Sequence, residues 1–192
     1  ARALGVIIGV VSAPLSAQDY GPPEGYYLGI EGLSGNALHA SLNDIISPHA
    51  TQSYSRAKAA MRYLDADPDT EGNIILIYSG ESRAFNTSSW NREHSWPQSY
   101  GAGNGPAYSD FHHLFPADSN TNSDRSNYTF DYVSGFGSRP AVEAPDSKVH
   151  SSSRTFEPRD EDKGRIARAI LYMAVRYEGE GAGTEDFQLS AI

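Results

Sequence analysis

Residues 91–97 read NREHSWP, residues 110–118 read DFHHLFPAD, and residues 119–127 read SNTNSDRSN. These segments are dense in Asn, His, Asp, Ser, Arg and Trp and poor in aliphatic side chains, a mixture that a hydrophobic core does not require. Glu93 stands directly before His94. Ideal strand geometry sends neighbouring side chains to opposite faces. Both therefore serve one site only where the strand ends or bends, and Pro97 supplies such an end. Asp118 or Ser119 is a suitable cap for a helix or tight turn that follows. A hairpin followed by a short helix would bring the three polar segments face to face.

The flanks set this centre in a mixed α+β domain of helices and short strands, with no internal repeat and no long linker. Residues 18–35 read as an irregular lead-in. From Ala37 to Ile46, Leu38, Leu42 and Ile45 recur at helical spacing, and Ala57, Met61 and Leu64 do so within 54–64. Asp-Pro-Asp-Thr within 65–70 marks a turn. Residues 73–78, NIILIY, are the clearest strand, and 79–90 have room for a turn and a second short strand. Residues 134–153 look like a loop. Asp160 then reads as an N-cap with Glu161 and Asp162 in the first turn. Ile166, Ile170, Met173, Ala174 and Tyr177 form a helical stripe.

The chain has 192 residues, 15 basic against 24 acidic, for a formal net charge of −9. That balance argues against binding nucleic acid through a broad basic surface, but not against a local cationic or metal-filled cleft. Cysteine is absent, which excludes disulfides, thiolate nucleophiles and Cys-based zinc sites. Residues 1–17, ARALGVIIGVVSAPLSA, have the order of a secretory signal peptide, with a cut after Ala17. The expectation is a single domain over 18–192, secreted or periplasmic, monomeric, and away from the membrane once mature.

Glu and Asn oxygens form a hard donor set that suits magnesium, calcium or manganese better than zinc. Two protein oxygens leave the other positions to water, as magnesium prefers. An imidazole kept off the metal is free to act as a general base near neutral pH. A hydrated ion beside such a base is an arrangement for cleaving phosphodiesters. His112 and His113 raise the thought of a three-histidine zinc site with His94. Adjacent histidines on a strand diverge, however, and supporting roles fit better. His113 would hold the metal-bearing loop and Asp110 would orient a neighbouring polar group.

NREHSWP, DFHHLFPAD, NTNSDRSN and FEPRDEDKGRIARAILYM, in that order, resemble the bacterial endonuclease I family over about residues 90–177. Members are secreted or periplasmic non-specific nucleases built on a ββα-metal (His-Me) finger. The resemblance implies His94 as the base that activates water and Glu93 as the carboxylate ligand of one divalent metal. It implies Asn122 as the asparagine ligand, with Asn120 and Asn127 as near alternatives. It also implies DNA and RNA as substrates, cut without sequence preference to leave 5′-phosphates. Family members carry an arginine between the Glu-His pair and the second strand, on the scissile phosphate. Residues 95–124 here contain neither Arg nor Lys, which leaves that charge to Arg125, Arg92 or Arg168. The family pattern continues past residue 192, so the chain is expected to be truncated at its C-terminus. The alternative to an active nuclease is a catalytically inactive binding or adhesion module that keeps the finger and its metal.

Overall fold

A computed structural model describes residues 21–48 and 50–177. The expected signal segment, 1–17, lies outside the described residues. The architecture is α+β: four helices and eight short strands in three small sheets among the described residues.

Two helices lead. α1 (Gly35–Ile46) begins two residues before its apolar spacing starts, and α2 (Tyr54–Leu64) falls where the sequence placed it. Ser53 caps α2 by accepting from the Arg56 amide, and Ala57 and Met61 are its buried face. α1 buries no residue fully. It is tied to the far end of the chain, where the Asn43 amide donates to the carbonyls of Val175 and Arg176 at 2.6 and 3.2 Å.

The expected strand over 73–78 is shorter than its composition suggests. β1 (Asn73–Ile75) pairs antiparallel with β2 (Ser82–Ala84) and stops. Ile77 leaves that sheet, and its amide donates to the Pro116 carbonyl at 2.8 Å. Tyr78 then adopts φ 73°, a left-handed conformation that is costly for a bulky residue. Buried polar partners hold it there. The Tyr78 amide donates to Asp162 Oδ2 at 2.9 Å, and the Tyr78 carbonyl accepts from Ser147 Oγ at 2.9 Å.

β3 (Trp90–His94) and β4 (Leu114–Asp118) pair antiparallel, with Glu93 opposite Phe115 and His94 opposite Leu114. β4 runs directly into α3 (Ser119–Arg125). Asp118 is the N-cap, and its carboxylate accepts from the amides of Asn120 and Thr121. The result is a strand–strand–helix unit over the three polar segments. All five residues of β4 are buried, because both of its faces are covered. Leu114 packs with Met61, Ile74, Leu76 and Trp90, whereas Phe115 and Ala117 join the larger core of Trp96, Phe156, Ile170 and Met173.

Residues 134–153, expected as a loop, instead carry two strands. β6 (Arg139–Ala141), β7 (Ala144–His150) and β8 (Thr155–Glu157) join β5 (Thr129–Phe130) in a four-stranded sheet of order β5-β8-β7-β6. The buried residues of β7 are Ala144, Ser147 and Val149, two of them small, so their apolar signal is weak. α4 (Asp160–Arg176) packs Ile166, Ile170 and Met173 inward. Arg159 rather than Asp160 occupies its N-cap position. Asp160 is the first helical residue, where it still complements the dipole.

Candidate active site

β3 stops at His94, and Ser95 turns back on the loop, its amide and hydroxyl both donating to the His113 carbonyl. The end of the strand is what lets consecutive side chains share a site. Glu93 and His94 line one open cleft of about 390 Å3, together with Arg92, Gln98, Asn122 and Asn127.

Glu93 is 2% exposed. Its Oε1 accepts from the Tyr78 hydroxyl at 2.7 Å and lies 3.3 Å from Arg125 Nε. Burial raises its pKa; Arg125, the Tyr78 hydroxyl and the His94 amide oppose that rise. Arg125 is itself 1% exposed. It donates to the carbonyls of Ser95 at 2.7 Å and Ser126 at 3.0 Å and lies over the Phe130 ring at 4.4 Å. Its Nε has no hydrogen-bond partner, so it meets Glu93 as a neighbouring charge rather than through an aligned bond. The structure thus places Arg125 in the cleft wall beside Glu93, with two of its five donors spent on backbone carbonyls.

His94 Nε2 lies 3.0 Å from the Tyr108 carbonyl. A carbonyl only accepts, so this nitrogen carries the proton and Nδ1 keeps the lone pair. Nδ1 in turn accepts from the Gln98 amide at 3.2 Å. Burial is the main cause that lowers the His94 pKa to about 4; Arg92 and Arg125 add to it, and the Tyr108 bond opposes it. At neutral pH the ring is an uncharged base.

His113 stands behind, its ring 5.3 Å from that of His94 and fully buried. It donates from Nε2 to the Ala107 carbonyl at 2.7 Å, and its Nδ1 has no hydrogen-bond partner. Burial lowers its pKa to about 3. Asp110 lies away from the cleft. It accepts from the His112 amide and Nδ1 and from the hydroxyls of Tyr172 and Tyr177, which fastens the loop to α4. Burial works to raise its pKa, but these donors hold it well below the usual carboxylate range. His112 stacks on Tyr172 and does not join His94 and His113.

The three candidate asparagines separate cleanly. Asn122 lines the cleft, and its NH2 end donates to Asn91 Oδ1 at 2.6 Å and, at 3.4 Å, to the Arg92 carbonyl. That leaves its carbonyl end for a ligand. Asn127 also lines the cleft, but its NH2 donates to Ser99 Oγ and its oxygen accepts from Arg154. Asn120 is exposed at the start of α3, outside the cleft lining. Arg92 borders the cleft, stacked 3.5 Å from the Tyr54 ring centroid and donating to the Tyr54 carbonyl at 2.8 Å. Arg168 is not brought to the cleft. It sits exposed on α4, in a separate groove with His112 and Tyr172.

Two contributors escaped the sequence reading. Tyr78 ends a hydrophobic run and carries no polar signal, and the Tyr108 carbonyl is invisible to any reading of side chains. Gln98, one residue past Pro97, was within reach as a polar side chain beside the Glu-His pair. One buried carboxylate and one amide oxygen beside a neutral imidazole form a hard, sparse donor set that fits a mostly hydrated magnesium ion.

A family model described as Endonuclease I matches residues 34–189. Among curated proteins, the extracellular ribonuclease of Bacillus subtilis (strain 168) is 40% identical over 189 residues, covering 94% of this chain and 63% of that protein. The extracellular ribonuclease of Bacillus amyloliquefaciens is 44% identical over 175 residues, covering 87% and 58%. The chain spans about three fifths of the length of these relatives.

Proposed function

The chain belongs to the Endonuclease I family, and from that premise we propose that it is a secreted, metal-dependent nuclease. It hydrolyses phosphodiester bonds of RNA and DNA without reading base sequence. The observation that carries this reading is His94: a neutral imidazole, its Nε2–H tied to the Tyr108 carbonyl, its Nδ1 lone pair toward Gln98, in an open cleft that Glu93 also lines. Relatives named as extracellular ribonucleases support secretion and an RNA substrate.

Glu93 and Asn122 would hold the cation, magnesium first, with calcium or manganese accommodated by the same oxygens. When bound, it supplies positive charge against the phosphate and leaving-group oxygens. His94 does the proton work. Nδ1 takes a proton from water as the water oxygen bonds to phosphorus. The bond from phosphorus to the 3′-oxygen breaks, the leaving oxygen gains a proton from solvent, and a 5′-phosphate remains. The Gln98 amide stands 3.2 Å from Nδ1, on the side from which water must approach. Gln98 is exposed and able to swing aside or to hold that water. Tyr78 and Arg125 orient Glu93 and oppose the rise in its pKa that burial causes. The nucleophile is external water, so a 2′-hydroxyl is unnecessary and DNA is cut as well as RNA. Contacts to phosphate carry no base code.

The test is plasmid nicking and RNA digestion with magnesium, with excess chelator, and with His94→Ala. Chelator abolishes cleavage, and the variant loses about 10²–10⁴-fold in rate while keeping its fold. Equal degradation by variant and wild type would remove His94 from the mechanism.

A further inference from the structure

About half of the described arginines and lysines sit in ion pairs, such as Arg83–Asp118, Arg139–Asp124 and Lys163–Glu157. Lys58, Arg62 and Arg92 pair with no carboxylate among the described residues. They line one groove of about 430 Å3 along α2. α2 carries no acidic residue, although the chain is at −9 overall. Lys58 and Arg62 are also four residues apart on the helix, a spacing at which like charges repel. An anion lying between them would relieve that repulsion.

Aromatic rings are interleaved with these charges. Lys58 lies over Trp90, Arg62 over Phe85 and Arg92 over Tyr54, at 4.8, 4.6 and 3.5 Å from the ring centroids. Tyr63, on the groove wall, is 79% exposed. Ala59 and Ser55 are the small residues of the groove lining. Arg92 borders both this groove and the cleft that holds His94, so the two meet at that side chain. Cations at the edge and an open ring on the wall are the combination that holds a strand whose bases are unstacked. Stacked bases inside a duplex cannot reach such a ring.

We propose that the α2 groove binds the single-stranded segment of nucleic acid flanking the scissile phosphate. Lys58 and Arg62 take successive phosphates, and a base stacks on Tyr63. The proposal rests on the nuclease reading for its orientation, but its binding does not depend on cleavage.

The experiment is fluorescence anisotropy with a labelled 20-nucleotide oligothymidylate and a matched 20-base-pair duplex, in EDTA so that nothing is cut. The proteins are wild type, Lys58→Ala/Arg62→Ala, Tyr63→Ala, and Lys148→Ala as a distant cation control. The double variant is expected to weaken single-strand binding at least tenfold. It should also flatten the dependence of log affinity on log salt by about 1.4, at about 0.7 per cation lost. Tyr63→Ala is expected to cost at least fivefold on the single strand and to leave the duplex unaffected. Unchanged affinity in either α2 variant, an equal loss in Lys148→Ala, or an equal loss on duplex overturns the proposal. Should the double variant fail to give a native circular dichroism spectrum, Tyr63→Ala on the exposed wall decides alone. Failure of wild type to cleave in magnesium while these binding losses appear would sink the nuclease reading and leave the groove standing.

Discussion

Tyr78 shows how one side chain sets another's chemistry. Its left-handed backbone is paid for by Asp162 and Ser147 and swings the hydroxyl onto Glu93. Such strain costs about 1–3 kcal/mol, and here it positions a buried carboxylate. Tyr78→Phe keeps the ring but strips Glu93 of its strongest donor. We expect a loss of about 1.5–3 kcal/mol in urea unfolding and about 10–100-fold in activity or in the magnesium needed for it. Wild-type metal dependence in a destabilised variant would show that the hydroxyl serves packing alone. At this scale the sequence was half legible. Glu93, His94 and Asn122 lie within short polar motifs, whereas Tyr78 reaches Glu93 only because the chain leaves β1 and turns. No local pattern encodes that route.

Among the elements, α3 has seven residues, too few to be stable alone in water. Asp118 fastens its start, capping two amides and meeting Arg83 at 2.5 Å, while Thr121 and Asp124 tie the rest to residues 139–142. Asp118→Ala removes both contacts. We expect about 1–2 kcal/mol of destabilisation and a several-fold rise in the magnesium concentration for half-maximal cleavage, because Asn122 rides on the second turn. A titration of cleavage rate against magnesium checks this, and an unshifted midpoint would detach the cap from metal binding. The helices were readable because the stripes of α2 and α4 are long and regular. The strand sheet of β6 to β8 was not, since β7 buries Ala144 and Ser147 where a strand signal needs bulky residues. The strand at 73–78 was overdrawn because β-branched composition says nothing of where pairing partners end.

For the molecule as a whole, the net charge and the absence of cysteine described the surface and the chemistry that is missing, not the acid response. That comes from burial. His94 and His113 have native pKa values lowered to about 4 and about 3, mainly by burial. Below pH 6.5 the unfolded chain takes up protons that the native state refuses, so stability is full above that pH and drains as pH falls. Each histidine contributes a slope of up to about 1.4 kcal/mol per pH unit. His113→Asn should flatten unfolding free energy against pH between 6.5 and 4.5 by about one proton's worth, measured in urea at stepped pH. An unchanged slope would mean that His113 is protonated in the native state.

β4 belongs to both cores at once, Leu114 on one side and Phe115 and Ala117 on the other. It acts as a keystone. The strand that carries the chain into the helix of Asn122 is also the seam joining the two cores. Without a single covalent cross-link, the working machinery cannot fray while the rest stays whole, so competence and integrity rise and fall together.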